Sequence, residues 1–309
     1  MQFTRRKVAD AGLLVLVNAM WAAQYPAYKT ATSQAGPVTV SLWTFLIAAL
    51  VLIPFFIRER RGSTQCASRF EWRGFLMLAA LGLVPGSAVL AWGTVLSTAS
   101  NAALLYLTLP VITAVMAVTL LREKMTLVRW GSLVLALVGV LIVSGPDWHH
   151  ANLHSMKFLG GNLVILVAIT GSAFYNVYSK RLLERYTPLE VLVFGYLIAA
   201  GLSVPLVLVM EPSSLAATRS YTLGVWVSLV VLSVFSWGLA MVLWMYLLKR
   251  LDVSQASVSI YLLPLLGVLF SAVLLKEKIT PAMVVGGLLT LAGTVLITSM
   301  DTQGSEEGK

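Results

Sequence analysis

Aromatic and amide side chains recur inside the long apolar stretches of this chain, at spacings that could form a binding site for a small solute. Trp21, Gln24, Tyr25 and Tyr28 follow the i, i+3, i+4, i+7 pattern of a single helix face. Later stretches add Tyr106, Ser172, Tyr175, Asn176, Trp237, Ser257 and Tyr261. Because aromatic rings supply contact area and amides supply orientation, we predict a cavity for uncharged, zwitterionic or moderately hydrophobic solutes. The alternative is that rings near the stretch ends form an interfacial belt.

Two ionisable residues, Asp10 and Lys29, lie near the ends of the first apolar stretch. We predict that Asp10 balances the basic residues 5–7 and that Lys29 anchors the outer helix end; a proton carrier and an anion contact are the respective alternatives. The other acidic residues fall in predicted loops, tails or last helical turns. The cavity is therefore expected to lack a carboxylate, which favours facilitated diffusion or exchange over proton coupling.

No catalytic, metal or cofactor site is predicted. His149, His150 and His154 are metal-ligand types, but they lie in a loop without regular structure to fix them. Cys66, the single cysteine, lies in another predicted loop and excludes an internal disulfide. A membrane-embedded enzyme would need paired titratable groups at membrane depth, and the sequence offers none.

Composition indicates a membrane protein. The chain is 58% hydrophobic with a mean hydropathy of +0.86, far above the usage of soluble domains. Its 22 Lys and Arg residues outnumber 13 Asp and Glu residues, but they lie in short loops between apolar runs, so no nucleic-acid partner is expected.

Apolar runs of about 20 residues, long enough to cross a bilayer, predict the fold. They lie at residues 8–28, 38–57, 74–93, 100–121, 127–145, 160–179, 189–210, 222–247, 254–274 and 281–299. We therefore predict an all-α integral membrane protein with ten transmembrane helices. When alternate loops are assigned to the two faces of the membrane, most basic residues fall on the face that carries the N-terminus. This bias predicts cytoplasmic N- and C-termini in an inner (plasma) membrane.

The chain also repeats itself. The phrase LLREKMT, from Leu120, returns as LLKEKIT, from Leu274. At the same offset of 154 residues, the identical pairs include Ser100 and Ser254, Pro110 and Pro264, and Gly139 and Gly293. We predict two five-helix halves, residues 1–146 and 155–300, and a cytoplasmic tail, residues 301–309. An odd number of crossings inverts the second half, an arrangement typical of secondary transporters.

Three features of the repeat have local interpretations. Pro110 and Pro264 remove backbone donors inside the predicted fourth and ninth helices, which predicts kinks that are either flexible or static. Glycines on helices 5 and 10 predict close packing between those helices, with a homodimer face as the alternative. The charged triplet of LLREKMT follows a helix end, and Thr126 can cap the next helix. We therefore interpret the phrase as a turn that ends one helix and starts the next, rather than as a binding site.

The segment NAALLYLTLPVITAVMAVTLLREKMTLVRWGSLVLALVGVLIVS, with its counterpart in the second half, resembles the drug/metabolite transporter superfamily, specifically its EamA-type members. The resemblance covers essentially the whole chain and implies transport of small organic metabolites through a cavity between the halves.

We therefore predict a secondary exporter of small organic metabolites, such as amino acids or their analogues, that works by alternating access through facilitated transport or exchange. A proton-coupled multidrug exporter is the alternative within transport, and a membrane-embedded enzyme or receptor is the alternative of another class. The expected partners are the small-molecule substrate and the lipid bilayer.

Overall fold

The computed structural model describes residues 2–22, 24–62, 71–97, 99–143, 156–266 and 281–300. Within these ranges the chain forms helices joined by short turns, and no strand. The first part contains α1 (Gln2–Ala22), α2 (Gln24–Ala31), α3 (Pro37–Gly62), α4 (Trp72–Leu96), α5 (Ala99–Tyr106), α6 (Leu109–Leu121) and α7 (Leu127–Val143). The second contains α8 (Met156–Leu182), α9 (Pro188–Met210), α10 (Pro212–Ala217), α11 (Leu223–Arg250), α12 (Val253–Leu266) and α13 (Pro281–Met300).

Five of these helices are long and apolar enough to cross a membrane: α3, α4, α8, α9 and α11, with spans of 23 to 28 residues. Shorter apolar helices in α1, α6, α7, α12 and α13 accompany them. Large apolar side chains such as Leu127, Val209 and Leu223 are about four-fifths or more exposed, as expected for surfaces that contact lipid. The chain is a multi-pass membrane protein, and the predicted total of ten crossings stays a prediction.

Local sequence sets several helix ends. Before α9, the Thr187 hydroxyl accepts a hydrogen bond from the Glu190 N–H at 3.2 Å, and the Glu190 carboxylate accepts one from the Thr187 N–H at 3.0 Å. After α6, Arg122 has a left-handed backbone with φ 58°, which ends the helix. The Thr126 hydroxyl accepts from the Arg129 N–H at 3.2 Å, so its predicted capping role is confirmed. The second copy, LLKEKIT, lies outside the described residues.

The backbone of α4 and α11 is irregular near the middle of each helix. π-Helical turns occupy Leu78–Leu83 and Pro85–Val89 of α4, and Leu232–Leu239 of α11. A π-helical turn holds an extra residue and shifts the carbonyl acceptors along the helix, and such turns are frequent at functional sites.

The helix type changes shortly before each of the two repeated prolines. Leu107 and Thr108 form a turn between α5 and α6, and Pro110 occupies the second residue of α6. In α12 a 3-10 turn at Ser259–Tyr261 precedes Pro264. Proline lacks the N–H that would bond one turn back, which fits its place just after a change of helix type. The kinks predicted at Pro110 and Pro264 stay predictions.

Reciprocal contacts bring α7 and α13 together. A Cβ atom added to Gly139 would lie 2.6 Å from the backbone of Gly286 and Thr290. One added to Gly293 would lie 2.7 Å from the carbonyl oxygen of Ser132, which precedes Gly286 by the same 154 residues that separate the two glycines. Only glycine permits this approach, so both glycines serve packing within the chain, as predicted.

The helices α3 and α9 pack side by side through aromatic rings. Phe45 stacks on Tyr196 with ring centroids 5.6 Å apart, and Phe56 meets Phe194 edge to face at 5.4 Å. Phe45 and Tyr196 are fully buried and belong to the main apolar core. This pair of helices therefore forms a packed unit, and α4 and α11 pack against it.

Candidate functional site

Two tryptophans and an asparagine from α1, α8 and α11 meet in the core. The ring centroids of Trp21 and Trp244 lie 5.2 Å apart. The Trp244 indole N–H donates to Asn176 Oδ1 at 3.2 Å, and the Trp21 indole N–H donates to the carbonyl of Ser236 at 3.3 Å. Trp244 and Asn176 are buried, whereas Trp21 is half-buried. Two predicted site residues, Trp21 and Asn176, thus share one cluster.

A second aromatic cluster lies where α3, α9 and α11 meet. The predicted residue Trp237 contacts Phe45 edge to face with centroids 5.0 Å apart, and the Tyr196 hydroxyl donates to the Trp237 carbonyl at 2.7 Å. The carbonyls of Ser236 and Trp237 both belong to the π-helical turn of α11. This turn therefore presents two successive backbone oxygens to side chains of other helices.

Asn18 joins α1 to the interruption in α12. Its fully buried amide donates to the Leu14 carbonyl at 2.8 Å and to the Ser259 hydroxyl oxygen at 3.0 Å. Within the described part of the chain, its Oδ1 atom accepts no hydrogen bond. Leaving a buried amide oxygen unpaired costs about 1–3 kcal/mol, so this atom is suited to accept from a solute. Sequence reasoning missed Asn18, although a polar residue in mid-span was a usable signal.

Charged side chains converge on residues 248–254, here called the α11–α12 turn. Asp10 of α1 accepts from the Arg250 guanidinium at 3.1 Å. The Lys180 ammonium of α8 donates to the carbonyls of Leu248 and Leu251, both at 2.6 Å. Asp10 thus pairs with a residue of α11, whereas the side chains of residues 5–7, its predicted partners, lie outside the described residues.

Two further charged residues bind the start of α12. Arg129, which is 2% exposed, forms an ion pair with Asp252 and donates to the Ser254 hydroxyl at 3.2 Å. The Glu123 carboxylate accepts from the N–H groups of Val253 and Ser254 at 2.7 and 3.0 Å, and from the Ser254 hydroxyl at 2.6 Å. The LLREKMT phrase is therefore more than a local turn, because its glutamate caps a helix that is distant in sequence.

Neutral groups hold the connection between α4 and α5, which precedes the α11–α12 turn by the 154-residue offset of the repeat. The Ser97 hydroxyl donates to Asn162 Oδ1 at 2.5 Å. The Asn101 amide donates to the Ser97 hydroxyl oxygen at 3.0 Å and to Asn162 Oδ1 at 3.1 Å. Amides and a hydroxyl therefore join this connection to α8, whereas charged groups join the α11–α12 turn to the first half of the chain.

A sequence profile of the EamA-like transporter family matches the chain twice, over residues 11–145 and 159–299. The chain belongs to the EamA-like transporter family. It is a transporter and not an enzyme.

Curated relatives of this EamA transporter match it over nearly its whole length. A protein of Streptantibioticus cattleyicolor named a probable terminal-alkyne amino-acid exporter is 28% identical over 291 residues, covering 92% of this chain and 91% of that one. Uncharacterized transporters of Archaeoglobus fulgidus and Bacillus subtilis are each 24% identical, over 92% of this chain and 97% and 95% of theirs. A solved crystal structure, 20% identical, superposes with a TM-score of 0.78 over 94% of this chain and 99% of that chain, which shows the shared fold.

Two residues predicted for the cavity of this EamA transporter lie in the contact between α8 and α4. Tyr175 is buried beside Gly82, where an added Cβ would lie 2.9 Å from the Tyr175 Cβ. Ser172 lies against Gly86 one turn away, and its hydroxyl donates to the Ala168 carbonyl of its own helix at 3.3 Å. Both residues therefore lie at a tight contact between α8 and α4.

The predicted face of Trp21, Gln24 and Tyr28 is divided between two helices. Because α1 ends at Ala22 and α2 begins at Gln24, Tyr28 packs in a different cluster, with Tyr221 and with residues of α3 and α11. Gln24 is half-buried. The side chains of Tyr25 and Lys29 lie outside the described residues.

The remaining predicted residues belong to the interrupted helices. Tyr106, at the end of α5, is half-buried against the main core. Ser257 is fully buried and donates to the Ser254 carbonyl at 3.0 Å. Tyr261 packs with Leu107 in a smaller core beside α7, and its hydroxyl has no partner among the described residues.

Neither a metal centre nor a cofactor is indicated in the part of the chain that the structure describes. There, no group of three or more His, Cys, Asp and Glu side chains could hold a metal ion. His149, His150, His154 and Cys66 lie outside the described residues.

An apolar groove of about 470 Å³ lies between α4, α6 and α8, away from both aromatic clusters. Its lining includes Leu163 and Val167, which are 56% and 62% exposed. Because these side chains face outward from a membrane span, the groove is a lipid-facing surface and not part of the polar centre.

Proposed function

We propose that this EamA transporter is a secondary exporter of small organic metabolites, such as amino acids or their analogues, working by alternating access through facilitated transport or exchange. In this proposal it lies in the plasma membrane with both termini in the cytoplasm. The observation that carries the proposal is the reciprocal crossing of α7 and α13, which points to two inverted halves.

The proposed architecture is ten transmembrane helices in two inverted five-helix repeats, residues 1–146 and 155–300. A twofold axis between repeats makes every contact of one half recur with the roles exchanged, as in a symmetric dimer. The approach of Gly139 to Gly286 and of Gly293 to Ser132 has this form. The π-helical turns in α4 and α11, and the interruptions before Pro110 and Pro264, add corresponding irregularities.

The proposed substrate path runs between the repeats, beside Trp21, Asn176 and Trp237. Irregular backbone at membrane depth is tolerated where it is buried in protein or lines a polar cavity, and transporters build their sites at such interruptions. Asn18 meets the interruption at Ser259, and its free amide oxygen adds an acceptor next to the aromatic rings.

The proposed substrate class rests on chemistry and on one relative. Neutral amides and aromatic faces suit a zwitterion or an uncharged polar solute better than a strongly charged one. The relative from Streptantibioticus cattleyicolor is named as an amino-acid exporter. Amino acids and their analogues are therefore the first solutes to test.

Facilitated transport or exchange is proposed because the described carboxylates lie at helix ends or in turns or, in the case of Asp10, near the start of an apolar span. Asp10 pairs with Arg250 and Asp252 with Arg129, while Glu123 caps a helix. Proton-coupled exporters generally hold an ionisable residue at membrane depth. A proton-coupled multidrug exporter remains the alternative, with Asp10 as its proton carrier.

Transport by purified protein in proteoliposomes tests this proposal. A panel of labelled amino acids and analogues is supplied with and without a pH gradient, and we expect flux that does not need the gradient. Asn176→Leu removes the acceptor of the Trp244 indole and is expected to lower that flux about tenfold, which corresponds to about 1.4 kcal/mol. Leu163→Ala, on the lipid-facing groove, is the matched control and should leave flux unchanged.

Two results would overturn parts of the proposal. If no amino acid or analogue moves under either condition, the proposed substrate class is wrong. If flux requires the gradient and Asp10→Asn abolishes it, proton coupling replaces facilitated transport.

A further inference from the structure

The carboxylate of Glu123 caps the N-terminus of α12 from the opposite half of the chain. Its two oxygens accept three hydrogen bonds, from the N–H groups of Val253 and Ser254 and from the Ser254 hydroxyl, at 2.6 to 3.0 Å. The first N–H groups of a helix lack partners within it and carry partial positive charge, so an anion is well placed there. This contact therefore ties the first family region to the second by charge-assisted bonds.

Local geometry fixes the position of Glu123. Arg122 has a left-handed backbone and its N–H returns to the Ala117 carbonyl, which ends α6 and turns the chain away from the helix axis. The Thr126 hydroxyl then caps α7 through the Arg129 N–H. With the helices on both sides fixed, the Glu123 side chain is directed to α12.

A second contact between the halves lies beside it. The buried Arg129 guanidinium pairs with Asp252 and donates to the Ser254 hydroxyl, which Glu123 also binds. Asp10 reaches the same turn from α1 through Arg250. All three contacts join residues before 145 to residues after 159, and all lie at the end of the molecule that carries the α11–α12 turn.

We infer that Glu123 is a gating residue: its contact with the start of α12 closes the transport path at the α11–α12 turn, and this contact breaks when the path opens there. The inference rests on the proposed alternating access, in which the two halves separate at one face at a time. Glu123 is half-buried, so water can solvate its carboxylate once α12 moves away. On the proposed topology this face is cytoplasmic.

Glu211 provides a matched control within the same chain. Its carboxylate caps α3 in the same way, accepting from the N–H groups of Val38 and Thr39 at 3.0 and 2.8 Å and from the Thr39 hydroxyl at 2.8 Å. However, α3 and α9 also contact each other through aromatic rings along their length, and at their other ends the Thr187 hydroxyl donates to Glu59 at 3.1 Å. Losing the Glu211 contact should therefore not open a path.

Cysteine labelling from each face of the membrane tests the inference. The single native cysteine is first removed by Cys66→Ser, and Ser257→Cys, one turn into α12 and fully buried, serves as the reporter. Oriented membrane vesicles receive a membrane-impermeant maleimide on one face at a time. We expect Glu123→Ala to raise labelling several-fold from the face that carries the N-terminus, with Glu123→Gln intermediate and Glu211→Ala unchanged.

Equal labelling in Glu123→Ala and the unaltered background, or an equal rise in Glu211→Ala, would overturn the inference. If Glu123→Ala does not fold, as judged by size-exclusion chromatography, Glu123→Gln and Ser254→Ala decide the question by the same labelling. Because labelling requires no substrate, the gating role can fail while amino-acid transport holds. Equally, the gating role can be confirmed while none of the proposed substrates is transported.

Discussion

The α11–α12 turn and the connection between α4 and α5 occupy corresponding places in the two family regions, yet different chemistry holds them. Ion pairs and charge-assisted bonds hold the first, through Asp10, Glu123, Arg129 and Lys180. Amide and hydroxyl groups hold the second, in the part of the chain that the structure describes. Charge-assisted bonds are roughly twice as strong as neutral ones, so we expect the two faces to differ in the free energy required to separate the halves.

The largest expected effect is at the charged turn. Asp252→Ala removes the carboxylate that pairs with the 2% exposed Arg129, and an uncompensated buried charge typically costs about 3–5 kcal/mol. Asn162→Ala, on the neutral side, should cost only about 1–3 kcal/mol. Thermal unfolding of the two variants in detergent measures the difference.

Arg129→Leu sharpens the same measurement. It leaves Asp252, which is 38% exposed and can be solvated by water, so its loss of stability should be smaller than that of Asp252→Ala. If Asn162→Ala destabilises the protein as much as Asp252→Ala does, the two sides are held equally firmly and the comparison is wrong.

An intermediate effect is expected where the halves are alike. Gly139→Ala and Gly293→Ala each put a methyl group within 2.6 to 2.7 Å of backbone atoms, and overpacking of this kind costs about 1–3 kcal/mol. Because the two contacts are reciprocal, the losses should be equal within error in thermal unfolding. Gly131→Ala is the control, since no atom lies within 4 Å of its added Cβ, and it should not destabilise the protein. Clearly unequal losses for the first two would contradict the proposed twofold relation.

The smallest effect is expected at Asp10. Its pair with Arg250 is partly exposed, with 14% and 40% of the two side chains accessible, so Asp10→Asn should cost about 0–1 kcal/mol. That small loss should shrink further in high salt, because mobile ions screen exposed charges. Unfolding at low and high ionic strength tests this, and a loss as large as that of Asp252→Ala would place Asp10 in a dry site instead.

Patterns within one segment of sequence predicted the fold and the helix contacts well. The apolar runs predicted the helical membrane fold, and the glycines at matched offsets predicted the tight packing of α7 against α13. Thr126 was predicted as a cap because a hydroxyl capping the next helix is a local arrangement. Trp21 and Asn176 were predicted to line a substrate cavity, because polar and aromatic groups in mid-span must find partners inside the protein. The structure brings them together, and the cavity stays a prediction.

Contacts between distant segments were not predictable in the same way. Glu123 binds residues 130 and 131 positions away, and Asn18 binds one 241 positions away. No spacing rule covers such distances, so Glu123 was interpreted only as part of a turn and no contact was predicted for Arg129. Helical periodicity also failed at Tyr28, because the change from α1 to α2 breaks the phase on which the predicted face depended.

The crossing of α7 and α13 has a mechanical consequence. Exchanging the conformations of two inverted halves carries the Gly139 contact onto the Gly293 contact, so the crossing is the same before and after the exchange. In the proposed alternating access, we therefore expect this crossing to act as a pivot that stays in place while the ends of the molecule move. A covalent cross-link there should leave the cycle running, whereas the same link at the α11–α12 turn should stop it.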